Sequence, residues 1–307
     1  MVIEAQTLLR SLALPPESVV SEEPLGERRG SPLRVRIDVP GGAPQVVVVR
    51  QPTDPEAAFN HAAVMEALAR AGFTQMPRLL AVLEGATVEE WVDGASALAF
   101  VPPPGSMGAA IEALARLHGL PIQEGLRWGS SPEEVLPSPD VPLHRLGFAA
   151  AERDPAKAPL EAAHVAMLET PFGFVHGDAT AARFLLAPGA ATLINFGHAG
   201  FGPQLFDVAA LLLTSGLEPA ARRVLAQRYA GLRSMATDAT ADLVDLAGLL
   251  WGFETQLGLA RRLVETLGDD AESAALNTAA TRIEQSIRNA AGSHAAAAAI
   301  RSALWAS

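Results

Sequence analysis

The sequence predicts an α+β protein of two lobes: a small N-terminal β-sheet lobe with one helix over residues 1–95, and a larger, mainly helical C-terminal lobe over residues 96–307. Three observations point there. Short β-branched or alternating segments crowd the first 95 residues, long helical segments follow Asp207, and 307 residues are more than one small domain needs.

The elements follow in chain order. A short helix is predicted near residues 5–13. In RVRIDV (34–39), Arg34 and Arg36 alternate with Val35 and Ile37, the period of a half-buried strand. PGGAP (40–44) is a hairpin turn, and the β-branched run VVVV (46–49) is a buried strand. Asp54 opens an amphipathic helix whose apolar positions are Phe59, Ala63, Met65, Leu68 and Ala69. LLAVLEG and ATVEEWVDG supply two further strands and a turn. VPPPG (101–105) is a stiff break between lobes, with the hinge at residues 89–94. MGAAIEALARLHGL is an amphipathic helix, and residues 120–157, rich in Pro and Gly, are expected to be irregular. FGFVHGD and ATLINFG carry short apolar strands. From Asp207 the chain is helical through VAALLL, EPAARRVLAQRYAGL, Asp238–Thr266 and Asp270–Ala291.

Composition narrows the function classes. Hydrophobic residues are 49% and charged residues 19%, which fits an ordered globular chain. A net charge of −11 argues against a nucleic-acid surface. With no cysteine, disulfides, thiolate catalysis and Cys-ligated zinc are excluded. The N-terminal residues contain Glu4 and no basic stretch, unlike a secretory leader, and no apolar run of about 18 residues suggests a membrane span. The expected location is therefore cytoplasmic, with no membrane and no nucleic acid as partners. Nearly all basic residues are arginine; Lys157 is the only lysine.

The chemistry-bearing stretch is FVHGDATAARFLLAPGAATLINFGHAGFGPQLFDVAALL (174–212). It resembles the aminoglycoside phosphotransferase and choline kinase-like family, which shares the protein-kinase fold. His176-Gly177-Asp178, Asn195-Phe196-Gly197 and Asp207 carry the resemblance, supported by ALARLHGL (113–120), EEWVDG (89–94) and the VVVVR strand. The resemblance implies ATP as cofactor, with Asp178 as catalytic base, Arg183 at the metal-ligand Asn position and Asn195 at the position of the DFG aspartate. It also implies cofactor-binding positions at Arg50 on the third strand, at His61, where a helix carboxylate is expected (Glu56 and Glu66 are the alternatives), and at Glu90 and Val92 in the hinge. The glycine-rich loop falls on LGERRGSP (25–32), where Gly26 and Gly30 could line a turn beside bulky Arg28 and Arg29.

Phosphoryl transfer relies on positioning and on Mg²⁺ that neutralises phosphate oxygens. Here the three loop positions carry −1, +1 and 0, and a guanidinium cannot ligate a cation. Mg²⁺ binding is therefore doubtful, and no metal ligand is assigned. His198 follows the NFG motif where the family often has a carboxylate. His176 and Asp207 are read as structural. A hydrolytic metal cluster of His176, Asp178, His198 and Asp207 has no familiar spacing, and no serine sits in a nucleophile-elbow pattern. Trp251, Phe253 and Leu257 read as core, Glu254 as a residue that could line an acceptor pocket, and Arg222-Arg223 as a solvated helix face.

Three placements of Arg183 stay open: paired with Asp178, clamping a phosphate where a metal would sit, or directed to solvent. The functional expectation is a pseudokinase-like member that binds a nucleotide, a small molecule or a protein partner, with phosphotransfer absent or strongly reduced. The alternative is an active ATP-dependent kinase of a small-molecule hydroxyl with an atypical metal site.

Overall fold

The computed structural model describes residues 4–25, 31–51, 55–96, 105–121, 158–159, 161–163, 165–265, 270–288 and 294–305. The expectations for Asp54, for residues 26–30, for the VPPPG break and for residues 122–157 lie outside them, as do the side chains of Glu56, Phe59, Phe253, Glu254 and Leu257.

A five-stranded antiparallel sheet begins the chain. Its strands are β1 (Val19–Pro24), β2 (Leu33–Asp38), β3 (Gln45–Arg50), β4 (Leu79–Leu83) and β5 (Ala86–Glu90), in the order β1-β2-β3-β5-β4. Strand alternation sends Val35, Ile37, Val47, Val49, Ala86 and Val88 to one face, where they pack against Leu8 and Leu9 of helix α1 (Ala5–Ser11). The opposite face carries Arg34, Val48, Arg50, Thr87 and Glu89, since Arg34 pairs with Val48, Val48 with Glu89 and Arg50 with Thr87. Strand β1 was not expected. Its sequence VVSEEP is mostly exposed, so it carries no alternating signal; it joins the sheet through backbone pairing to β2.

Helix α2 (Pro55–Arg70) follows β3. It ends at Gly72, whose φ of 77° closes the last turn while the Phe73 N–H donates to the Leu68 carbonyl. Val64, Met65 and Leu68 of α2 belong to the large core of the second lobe, which makes α2 the element that couples the sheet to that lobe.

After the sheet come β6 (Ala95–Ser96) and α3 (Ser106–Leu117). Strands β7 (Phe172–Val175), β8 (Phe184–Ala187), β9 (Ala190–Leu193) and β10 (Gly200–Pro203) form two small sheets, ordered β10-β7 and β6-β8-β9. Among the described residues after β10 the helices are α4 (Gln204–Thr214), α5 (Pro219–Leu232), α6 (Thr237–Glu265), α7 (Asp270–Arg288) and α8 (Ala295–Trp305). Pro219 sits where its missing N–H costs nothing, at the first turn of α5. Tyr229, Phe184, Phe196, Ile111, Leu114 and Leu117 are fully buried in one core. Burying each such side chain contributes about 1.5–3 kcal/mol.

One expectation is overturned here. Arg222 is not on a solvated face: it is buried among α4, α5 and α6, and burial lowers its pKa despite Asp245 and Glu218 nearby. The spacing of α5 misses this because Arg222 lies on the helix face that α6 covers. Among the described residues, no helix is long and apolar enough to cross a membrane.

Candidate functional site

The loop between β7 and β8 is shaped by its backbone before any side chain acts. Gly177 has φ of 77°, and a Cβ there would collide with the His198 carbonyl oxygen, so the loop and the NFG segment approach as only glycine permits. Asp207, in the first turn of α4, anchors the approach. Its Oδ2 accepts from the His176 N–H at 2.6 Å and from His118 Nε2 at 3.1 Å, and its Oδ1 accepts from the Gly177 N–H at 3.0 Å. The far ring nitrogen of His118 meets the Tyr229 hydroxyl at 2.7 Å, and burial raises the pKa of that phenol. Asp207 is thus a structural anchor, as its position in the motif suggested.

His176 is likewise structural. Its Nε2–H donates to the Ile194 carbonyl at 3.0 Å, and its Nδ1 accepts from the Asp178 N–H at 3.2 Å, which fixes the tautomer. Burial lowers its pKa, outweighing the opposing charge of Asp207. The unfolded ring titrates at about 6.5. The unfolded chain therefore binds the extra proton first, and stability should fall as pH drops below about 6.5 toward the lowered folded value. Urea unfolding at pH 5 and pH 7 should show His176→Gln with less acid sensitivity than the wild type; an unchanged difference would remove His176 as its source.

Arg183 is directed at Asp178. Its Nε donates to Asp178 Oδ2 at 2.7 Å, and its Nη2 lies 2.6 Å from the same oxygen. Both side chains are partly covered, at 33% and 25% exposure, so the pair is neither deeply buried nor freely solvated. Of the three open placements, the structure adopts the first. The Arg183 carbonyl also accepts from the Ile194 N–H at 2.9 Å, which brings position 183 beside Asn195. Asn195 has φ of 68° and ψ of 70°, a left-handed conformation that asparagine tolerates better than most residues. No hydrogen bond to its side chain occurs among the described residues.

Helix α2 holds the NFG segment from the other side. Asn60 Nδ2 donates to the carbonyls of Gly197 and Ala199 at 3.0 and 3.1 Å. His61 Nδ1 accepts from the Phe196 N–H at 3.0 Å, which leaves its Nε2–H to donate to Glu89 Oε1 at 2.9 Å. The same Glu89 oxygen accepts from Arg50 Nε at 2.8 Å and from the Thr87 hydroxyl at 3.2 Å. Burial pushes the Glu89 carboxyl up, but Arg50 and His61 together outweigh it and hold the pKa below the usual value.

The expected positions are thus partly assembled. Asp178, Arg183 and Asn195 meet around one loop, and Arg50 and His61 meet through Glu89. Glu66 is not the partner of Arg50: it points outward beside Arg70, at 3.8 Å. Glu90 accepts from Arg78 Nε at 2.8 Å on an exposed face, and Val92 lies half-buried just after strand β5. Beside them the Trp91 indole N–H donates to Asp93 at 2.7 Å, and the Arg34 guanidinium lies 4.8 Å from the Trp91 ring centre. Sequence reasoning missed Glu89 and Asn60. Glu89 carried one usable signal, a carboxylate two residues beyond Thr87 and so on the strand face that bears Arg50. Among the described residues no group of three His, Asp or Glu side chains is placed to hold a metal ion.

Comparison with known proteins places this geometry in context. The sequence model described as the phosphotransferase enzyme family matches residues 28–237. No curated protein matches the chain. A choline/ethanolamine kinase family protein from Mesorhizobium loti superposes with a TM-score of 0.65 at 20% identity, covering 94% of this chain and 93% of that one. A putative aminoglycoside phosphotransferase from Ralstonia eutropha gives 0.63 at 14% identity, covering 92% and 96%. An amicoumacin kinase in complex with AMP-PNP, Ca²⁺ and Ami gives 0.61 at 13% identity, covering 94% and 96%. At these identities the structural likeness concerns the fold, the bilobal kinase-like one that the motif implied.

Proposed function

Because this chain belongs to the phosphotransferase enzyme family, we propose that it is a member whose cleft binds a nucleotide, a small molecule or a partner while phosphotransfer is absent or strongly reduced. The observation that carries this reading is the ion pair of Arg183 with Asp178. A base must be free to accept the proton of an acceptor hydroxyl. Asp178 Oδ2 is instead engaged by two nitrogens of one guanidinium.

The donor set also fits Mg²⁺ poorly. A hard dication takes oxygen ligands, anionic ones foremost. Here the loop offers the amide oxygen of Asn195 and a carboxylate already neutralised by Arg183. A unit charge about 4 Å from another, at an effective dielectric of about 20, is worth roughly 4 kcal/mol as an upper figure. A fraction of that, repelling a dication, weakens binding strongly. The alternative, an active small-molecule kinase with an atypical metal site, draws support from the Asn195 side chain, which makes no hydrogen bond among the described residues.

Thermal-shift measurements with ATP and ADP, each with and without excess Mg²⁺, test the proposal. The expected result is a shift that is the same with and without Mg²⁺. A shift that appears only with Mg²⁺ would overturn it in favour of the active enzyme.

A further inference from the structure

The five-stranded sheet has two edges, and they differ. Strand β1 carries Glu22, Glu23 and Pro24, and charge and proline are the usual guards against a second chain pairing with an edge. Strand β4, at the other edge, reads LLAVL and has neither. Among the described residues no backbone group of another element meets its outer side. Leu80 and Val82 of β4 are 38% and 54% exposed. Leu80 is also the extra residue of a bulge: Leu79 aligns with Glu89 and Ala81 with Val88, so no residue of β5 stands opposite it. Both side chains border a groove of about 760 Å³, lined from the other side by Met65 and Ala69 of α2 and by Phe73 and Met76 after it.

This edge is complementary to itself. From Arg78 to Glu84 the chain reads RLLAVLE, with Ala81 at its centre. A two-fold axis beside Ala81 lays a second copy antiparallel along β4, with Leu80 opposite Val82, Leu79 opposite Leu83 and Arg78 opposite Glu84. Opposed residues of an antiparallel pair share a face, so the exposed Leu80 and Val82 of each copy cover those of the other beside the groove. The charges at the two ends choose the direction. Arg78 holds Glu90 through Nε and Nη2, which leaves Nη1 for a further carboxylate. Glu84 is exposed and makes no hydrogen bond or ion pair among the described residues. A parallel pairing would set Arg78 against Arg78 and Glu84 against Glu84, which is repulsive.

We infer that β4 is a docking edge for a second copy of this chain, which pairs with it antiparallel about Ala81 and joins the two sheets into one. Backbone pairing supplies the contact, the apolar pairs of Leu80 with Val82 give it burial, and Arg78 with Glu84 of the second copy fixes its register. The bulge at Leu80 keeps the paired stretch short, so the association is weak and reversible.

The test is sedimentation velocity of the full chain over a concentration series. The wild type should pass from monomer to dimer in the micromolar range, and a chain still monomeric at about 0.5 mM overturns the inference. Val82→Lys, which sets a charge on an exposed edge position, should abolish the dimer. A dimer that survives Val82→Lys is held elsewhere and also overturns it. The register has its own test. Arg78→Glu alone opposes two carboxylates at each end of the pair, and Glu84→Arg alone opposes two guanidinium groups. Each variant by itself should dimerise at least tenfold more weakly than the wild type. An equimolar mixture of the two should recover a dimer, because in the mixed pair every carboxylate again faces a guanidinium. A mixture that associates no better than either variant alone overturns the antiparallel pairing about Ala81.

Discussion

Arg183→Asn combined with Asn195→Asp is expected to raise Mg²⁺-dependent nucleotide affinity at least a hundredfold. The double change adds two units of negative charge around one loop and releases Asp178 from the guanidinium that now holds it. If each charge recovered only about 1.4 kcal/mol of the roughly 4 kcal/mol available at 4 Å, each would contribute about tenfold. The Ile194 N–H to Arg183 carbonyl bond should survive, since it is made by backbone. Asn195 already occupies a left-handed conformation that aspartate also tolerates. Calorimetry with ADP, with and without Mg²⁺, reads the result directly. A double variant whose ADP affinity does not rise with Mg²⁺ would show that these two positions do not control metal binding.

Asp207→Ala should cost about 3–5 kcal/mol of folding stability. The carboxylate accepts from two successive backbone N–H groups and from His118; the His176 and His118 bonds are buried and the Gly177 bond is partly buried. Removing it strands three donors at once and releases the loop that carries Asp178 from α4. It also removes a negative charge from the first turn of α4, where the helix dipole favours one. Against a typical total of 5–15 kcal/mol this is a large fraction. Asp207→Asn should cost less, because an amide oxygen still accepts while its NH₂ faces donors. Denaturant midpoints measure both; a loss below about 1 kcal/mol for the alanine variant would mean the loop is held elsewhere.

Much of this was legible in the chain. Strand period exposed Val35, Ile37 and the valines of β3, because alternate positions must meet the same apolar face. The motif positions His176–Asp178, Asn195–Gly197 and Asp207 were readable because their spacing is local. Strand β1 was not, since its side chains are largely solvated and only its backbone is satisfied by a neighbour. Arg222 misled because a charged residue on a helix looks solvated until the covering helix is placed.

The amino-acid sequence by itself determined the bilobal architecture, the loop with Asp178 and the substitutions at 183 and 195. These follow from periodicity and residue identity along short stretches. Tertiary structure alone decided that Arg183 turns onto Asp178, that Arg50, His61 and Thr87 converge on one oxygen of Glu89, and that α2 is bonded to the NFG segment. The physical reason is the same in each case: a side chain's direction is set by the partner it finds. Glu89 lies 39 residues from Arg50, and the carbonyl held by Asn60 lies 137 residues away, distances over which no local pattern predicts a contact.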